Sequence, residues 1–285
     1  MTDWRRNVKW WALVLLLVIT VLIWYLVWRA DQGVLTVAFL DIGQGDSIYI
    51  EGPNGNQILV DGGPNSAVLR RLSSVMPLFD HSIDVVVETH PDADHIAGLV
   101  DVFERYKVSY FLEPGIPNDT APYMALQEKV QNEKGLSKVI ARRNMRIDLG
   151  RGAQLHILFP DRDVSGVETN TGSIVARLEY GKTSVLLTGD SPIAIESYLV
   201  SLNKEDLKST ILKLGHHGSR TSSSQEFVEA VNPDMAIISA GKDNRYGHPH
   251  KEVISMLESL HIPFLSTARE GTILYRSNGI SFSKK

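Results

Sequence analysis

The chain has 285 residues, a formal net charge of −4 and no cysteine. That length suits one large or two ordinary domains, and the absence of cysteine excludes disulfides and thiolate ligands, so any metal site must be built from His, Asp, Glu, Asn or water. From residue 30 onward 25 basic residues stand against 32 acidic ones, which excludes a surface that attracts polyanions globally.

The first element is apolar. Trp10 to Trp28 is nineteen residues in which Thr20 is the only weakly polar one. At about 1.5 Å per residue it covers nearly all of a hydrocarbon core of about 30 Å. Trp10, Trp11, Trp24, Trp28 and Tyr25 sit where interfacial aromatic belts belong. The run is long for a cleaved signal, and Trp28 would occupy the third place before a cut after Ala30, so an uncleaved signal anchor is expected. Arg5, Arg6 and Lys9 precede it, whereas Arg29 follows beside Asp31. The positive-inside bias then divides the chain into a cytoplasmic N-terminus and transmembrane anchor, 1–31, and an extracytoplasmic domain, 32–285.

Strands are expected over Val34 to Leu40, Ser47 to Ile50 and Gln57 to Val60, the last two joined by the turn Pro53-Asn54-Gly55-Asn56. Polar, glycine-rich corners end the first and third. Residues 65–75 read as helix. The β-branched run Ile83 to Glu88 then leads into His90-Pro91-Asp92-Ala93-Asp94-His95, and Ile96, Leu99, Val100 and Phe103 follow at helical spacing. Side chains two apart on extended chain share a side, so His90, Asp92 and Asp94 converge, with His95 entering from the helix start. Two imidazoles and two carboxylates within six residues point to metal ligands, in a mixture that suits zinc, iron or manganese.

Further on, Val108 to Leu112 is an expected strand, Pro114 to Pro122 a loop and 123–134 a helix. Strands over Gln154 to Phe159, Ser173 to Tyr180 and Thr183 to Thr188 follow, the last presenting Asp190 at its end. After a helix from about Pro192, strand Ile211 to Leu214 ends at His216-His217. A helix over 224–231 and strand Met235 to Ser239 lead to His248 and His250, and a helix near 251–260 with short strands completes the chain. Six of the nine histidines therefore lie in three corners, each ending an apolar strand. Strand ends along one edge of a sandwich of two sheets can meet in space.

The order and spacing of DIGQGDS (41–47), LVDGG (59–63), THPDADHIAG (89–98), LTGD (187–190), LGHHGS (214–219) and YGHP (246–249) resemble the metallo-β-lactamase-fold hydrolases. More narrowly, they resemble the catalytic domain of the ComEC type of DNA-internalisation competence protein. The resemblance runs from about residue 34 to 280. It implies an α/β fold, the αββα four-layer sandwich, here preceded by one transmembrane helix. It also implies a centre of two divalent ions, Mn2+ or Zn2+, at one sandwich edge. His90, Asp92, Asp94, His95, Asp190 and His216 would be ligands, with His217 nearly tied with His216. Asp94, His248 and His217 are the catalytic candidates, and Asp46, Asp61, Asn170 and Ser173 would support the ligands from behind; His156 and His250 are read as structural. The general fold signature has His at the place of Asp92, which hardens the site, and a further His where Asn170 stands, which leaves one ion more labile.

The implied reaction is metal-assisted hydrolysis of a phosphodiester, with DNA as substrate, the membrane as partner through the N-terminal helix, and a separate DNA-uptake channel, since one span conducts nothing. Lys138, Arg142, Arg143, Arg146 and Arg151 are positioned in sequence to follow a nucleic-acid backbone, although a solvated face explains such a cluster more simply. Two other readings stand beside this one: hydrolysis of a small ester, lactone or phosphoester on the same scaffold, and a weakly metallated, non-catalytic DNA-uptake subunit.

Overall fold

A computed structural model of the chain describes residues 2–30 and 33–285. Helix α1 (Thr2–Ala30) contains Asn7–Tyr25, long and apolar enough to cross a membrane, with every side chain of that segment exposed. The side chains of Arg5, Arg6, Trp28 and Arg29, on which the expected orientation rests, and the boundary at residues 31–32 lie outside the described residues.

Next come β1 (Leu35–Phe39), β2 (Ile48–Glu51), β3 (Gln57–Val60), α2 (Ala67–Val75), β4 (Ser82–Val87), α3 (Ala93–Arg105), β5 (Lys107–Glu113), α4 (Ala121–Asn132) and β6 (Ser137–Ile140). The second half holds β7 (Arg146–Asp148), β8 (Gln154–Phe159), β9 (Val175–Tyr180), β10 (Thr183–Leu187), α5 (Ile193–Asn203), β11 (Ile211–Lys213) and α6 (Gln225–Val231). It closes with β12 (Met235–Ile238), α7 (Lys251–Ser259), β13 (Phe264–Ser266), α8 (Thr267–Glu270), β14 (Ile273–Ser277) and β15 (Phe282–Lys284). One sheet has eight strands in the order β15-β14-β1-β2-β3-β4-β5-β6, the other seven in the order β13-β12-β11-β10-β9-β8-β7.

The strands read as continuous apolar runs because both of their faces are covered. Leu35, Val37, Phe39, Val85 and Val87 meet Leu155, Leu178, Val185, Leu187 and Ile237 between the sheets. The opposite faces pack on helices: Ala38, Leu59 and Val86 on Val68, Leu72, Leu99, Val102 and Leu126 of α2 to α4, and Leu186, Leu212 and Ile238 on Leu199, Phe227, Val228 and Leu257 of α5 to α7. The result is the four-layer αββα sandwich. Helix α4 starts two residues earlier than expected, because Pro122 falls in its first turn, where a missing N–H costs nothing. Strands β6 and β7 are unanticipated from the sequence.

Parallel pairing of β3, β4 and β5 and of β10 to β13, with β1 running the same way as β3, brings the C-terminal ends of β1, β3, β4, β10, β11 and β12 to one edge. Two glycines let the corners there close. The ideal Cβ of a residue at 45 would collide with the Asp94 carbonyl, at a φ of +119°, and one at 98 would collide with the carbonyls of Gly62 and Asn65. Gly98 N–H instead donates to Gly63 O at 2.9 Å, and Gly62 N–H to His95 O at 2.7 Å, seating the first turn of α3 on the β3 corner.

Candidate metal centre

Asp190 is the hub of this edge. Its carboxylate, 3% exposed at the end of β10, lies 3.9 Å from His90 Nε2, 3.4 Å from His95 Nε2, 3.5 Å from His217 Nε2 and 3.6 Å from His216 Nε2. Asp92 Oδ2 is 3.7 Å from His90 Nε2, and Asp94 Oδ2 is 3.3 Å from His217 Nε2. Residues a hundred positions apart thus meet around one small volume. Ligand atoms of His90, His95 and Asp190, and of Asp94, His95 and His217, each lie within 4.8 Å of one another.

What lies behind these atoms aims them. Asp61, wholly buried, accepts from Thr89 N (2.8 Å), from Thr89 Oγ1 (2.7 Å) and from His95 Nδ1 (2.8 Å). Thr89 Oγ1 lies 3.0 Å from His90 Nδ1. One carboxylate therefore fixes both rings by their Nδ1 side and turns both Nε2 atoms to Asp190, the way a carboxylate behind a histidine orients a metal ligand. Asp61 does this from a left-handed backbone (φ 58°), a conformation that costs energy and persists where the surroundings demand it. Asp46 backs His217 by charge and not by a hydrogen bond: its Oδ1 lies 3.2 Å from His217 Nδ1, with neither atom hydrogen-bonded, while Oδ2 accepts from Lys213 Nζ. Lys213 is 1% exposed inside β11. Sequence reasoning did not single it out, although a lysine within Ile211-Leu212-Lys213-Leu214 is the signal a buried partner would leave.

His216 and His217 both have positive φ (47° and 57°), and that tight corner sends the rings apart. His217 is buried at 1% exposure among Asp46, Asp94 and Asp190, whereas His216 is 28% exposed, with Nδ1 3.3 Å from Thr221 Oγ1. His248 flanks both at the mouth, its ring centroid 5.4 Å from that of His216 and 6.1 Å from that of His217. Asn244 holds its backbone on both sides, accepting from His248 N at 2.9 Å and donating to His248 O at 2.6 Å. Ser173 Oγ accepts from Asp190 N at 3.3 Å, and Asn170 Oδ1 is buried without a hydrogen-bond partner. His156 stands apart from this cluster, its Nε2 3.1 Å from Gln154 Oε1, whereas His250 borders it, its ring centroid 4.9 Å from that of His248 while its Nδ1 accepts from Arg220 N at 3.1 Å. Of the basic run, Lys138 pairs with Glu113 at 3.0 Å, Arg143 with Asp206 at 3.5 Å, and Arg142 donates to the carbonyls of Pro114 and Ala141.

The electrostatics follow from density of charge. Burial opposes ionisation of Asp190, yet His217, His95 and His90 hold its carboxyl well below the usual range. Burial likewise opposes the charged form of His217, but Asp190, Asp46 and Asp94 raise it to about 9. His90 goes the other way: burial and then the neighbouring His95 lower it to about 3, so its Nε2 lone pair is free at neutral pH. Burial, followed by His216 and His217, lowers His248 to about 4.

These residues fit divalent ions. His90 Nε2, His95 Nε2, His217 Nε2 and Asp190 Oδ1 are buried without a hydrogen-bond partner and point at one another, an arrangement that costs free energy unless a cation or water completes it. The donors are nitrogen and oxygen only, as zinc or manganese accepts.

Comparison with known proteins agrees with this geometry. The model of a family described as the metallo-beta-lactamase superfamily matches residues 40–242. The chain is similar to ComE operon protein 3 of Bacillus subtilis, 31% identical over 84% of this chain and 33% of the relative. It is also similar to recombination protein 2 of Haemophilus influenzae, 29% identical over 86% of this chain and 28% of the relative. The chain thus spans about a third of the length of these relatives. Among solved structures, the metallo hydrolase Igni18 of Ignicoccus hospitalis superposes with a TM-score of 0.52 at 16% identity, over 84% of this chain and 98% of that one, and shares the fold.

Proposed function

Because the chain belongs to the metallo-β-lactamase superfamily, we propose that it is a membrane-anchored, metal-dependent phosphodiesterase that cleaves DNA outside the cell, beside a separate DNA-uptake channel. The observation that carries the hydrolase reading is the convergence of unpartnered, buried ligand atoms on Asp190. Likeness to Competence protein ComA of Neisseria gonorrhoeae, 29% identical over 84% of this chain and 32% of the relative, supports DNA as substrate, and the apolar helix supports the anchor.

In this reading two divalent ions would be held around Asp190. His90 and Asp92 would hold one, and Asp94, His95 and His217 the other; the burial of His217 favours it over His216 as ligand. The ions, Mn2+ or Zn2+, would supply Lewis acidity for hydrolysis at phosphorus. The protein's own groups do the rest. Asp61 and Thr89 keep the Nε2 atoms of His90 and His95 on Asp190, and Lys213 keeps Asp46 ionised behind His217 Nδ1, so that Nε2 faces Asp94 and Asp190. His248, neutral at pH 7, offers a ring N–H to a phosphate oxygen from the mouth, with His216 beside it. Substrate approaches through a cleft of about 460 Å³ lined by Gln44, Asp94, Asn244, Arg245 and Tyr246, whose arginine and aromatic ring suit a nucleotide.

The test is a panel of linear double- and single-stranded DNA, a bis-aryl phosphodiester and a lactone, each with Mn2+ or Zn2+. DNA and the diester are cleaved, and His90→Ala and Asp190→Ala abolish cleavage while the far-ultraviolet circular dichroism is retained. Turnover of the lactone alone would assign the scaffold to small esters, and undiminished activity in either variant would remove the proposal.

A further inference from the structure

We infer that the edge of the domain opposite the metal centre is a lipid-facing surface, seated on the headgroups of the same bilayer that the chain's own helix enters, so that the catalytic cleft is held facing away from the membrane. This rests on the anchor reading given above and adds to it an orientation of the domain.

The three most exposed large apolar side chains among described residues 33–285 are Phe79 (84%), Leu78 (81%) and Ile280 (69%). They occupy two loops, one before β4 and one between β14 and β15. Pairing places both at a single edge. Leu35 lies opposite Ser277, so the β14–β15 turn sits where β1 begins. Strand β2 runs against β1 and β3 against β2, and β3 pairs in parallel with β4, Ile58 beside Val85, so Ser82 and the loop before it lie at that edge too. Every corner of the metal centre is at the other end of these strands.

The tether fixes what this edge can meet. Helix α1 ends at Ala30 and β1 begins at Leu35, and five residues span at most about 17 Å. The start of β1, and with it the apolar tips, therefore stays within reach of the headgroup layer. In sheet order β1 has β14 beside it and β4 three strands away on its other side, about 5 and 14 Å at the usual strand spacing. The tips thus straddle the point where the chain arrives.

Charge is complementary to an anionic leaflet. Arg70 and Arg105 line one cleft with Leu78 and Phe79, Lys107 starts the neighbouring β5, and Lys182 N–H donates to Gly279 O beside Ile280 at 2.7 Å. All four are exposed and none is in an ion pair among the described residues. The nearby carboxylates accept only from neutral donors, Asp80 of the same cleft from Gln57 and Ser82, Asp84 from Gln57 N and Glu51 from Tyr49, so they keep their charge and the four cations outnumber these three. Folding gains nothing from Phe79, which holds a φ of 71°, disfavoured for a bulky residue, with its ring in solvent.

The chain has no cysteine, so a single introduced thiol can be spin-labelled uniquely. Full-length Phe79→Cys, Ile280→Cys and, on the opposite edge, Tyr246→Cys are reconstituted into phosphatidylcholine–phosphatidylglycerol vesicles, and collisions with oxygen and with a nickel chelate are measured. Labels at 79 and 280 are expected to gain oxygen contact and lose nickel contact, at depths of about 5–10 Å, while the label at 246 stays aqueous. Adding Leu78→Asp and Phe79→Asp to the chain labelled at 280 is expected to make that label shallower. Flotation with the vesicles and labels at 79 and 280 as nickel-accessible as 246 would overturn this face and leave the anchor standing; failure to float would overturn both. Shielding that rises with protein concentration in detergent would assign the patch to a second copy, and shielding that appears only with a channel protein present would assign it to that partner; either result overturns the lipid assignment.

Discussion

Replacing Lys213 by Met tests the support behind His217. The Lys213 and Asp46 side chains are 1% and 2% exposed, and the other oxygen of the same carboxylate lies 3.2 Å from His217 Nδ1. Met keeps the stem of the lysine and removes its charge, leaving Asp46 buried among Asp61, Asp94 and Asp190 with only histidines to compensate. Removing one member of a buried ion pair costs about 3–5 kcal/mol. For a domain of this size that corresponds to a Tm lower by roughly 6–20 °C. Differential scanning calorimetry of the metal-free protein measures it. The double variant Lys213→Met, Asp46→Asn removes the orphaned charge and recovers part of the loss, which isolates the pair from the packing of the stem. A single variant with unchanged Tm, or a double variant no more stable than the single one, would refute the reasoning.

Further outcomes follow from other features of the site and its supports. Gly98→Ala forces a Cβ onto the Gly62 carbonyl and is expected to cost about 1–3 kcal/mol, read as a lower urea midpoint at unchanged slope; an unchanged midpoint contradicts the close approach. Asn170→His places an imidazole where Asn170 Oδ1 is buried and unpartnered, and should tighten metal retention about tenfold, near 1.4 kcal/mol, in a competition titration with a chelator. Burial raises Glu196 from 4.5 to about 7 although Ser223 and Ser224 N–H groups donate to it. The native state therefore binds its proton more tightly than the unfolded chain does, and that stability, on the order of 3 kcal/mol, is present below pH 4.5 and lost as pH rises to about 7. Glu196→Gln should flatten the Tm profile over that window, and identical profiles would refute the assignment.

The parts of the fold legible from sequence were those with strong local signatures. Strands β3 and β8 fall where expected because turn residues bound dense apolar runs. β6 and β7 carry neither signal: they are four and three residues long and largely exposed, so only pairing with β5 and β8 makes them strands. At the site, the corners were readable because His, Asp and Gly cluster there at the ends of apolar runs. Which of two adjacent histidines turns inward was not, since it depends on two successive positive φ angles at 216 and 217, which no side-chain pattern encodes. The Lys213–Asp46 pair was hidden for a related reason: its members are 167 positions apart, and only sheet packing makes them neighbours. The basic run at 138–151 offered a track for a nucleic-acid backbone but read more simply as a solvated face; Lys138, Arg142 and Arg143 are in fact occupied by acceptors brought in by the fold, such as Glu113 and Asp206, which sequence proximity cannot show.

Strand ends far apart in sequence bring unpartnered His and Asp atoms together about Asp190, and a metal ion there is what remains to be measured. Metal content per chain is measured by plasma mass spectrometry after equilibration with Mn2+ or Zn2+ and gel filtration. Bound metal is expected to approach two ions per chain in the unmodified protein and to be close to none in Asp190→Ala, with the metal-free Tm of that variant showing that it still folds. Unmodified protein that retains no metal, or equal retention in a folded Asp190→Ala variant, would contradict it.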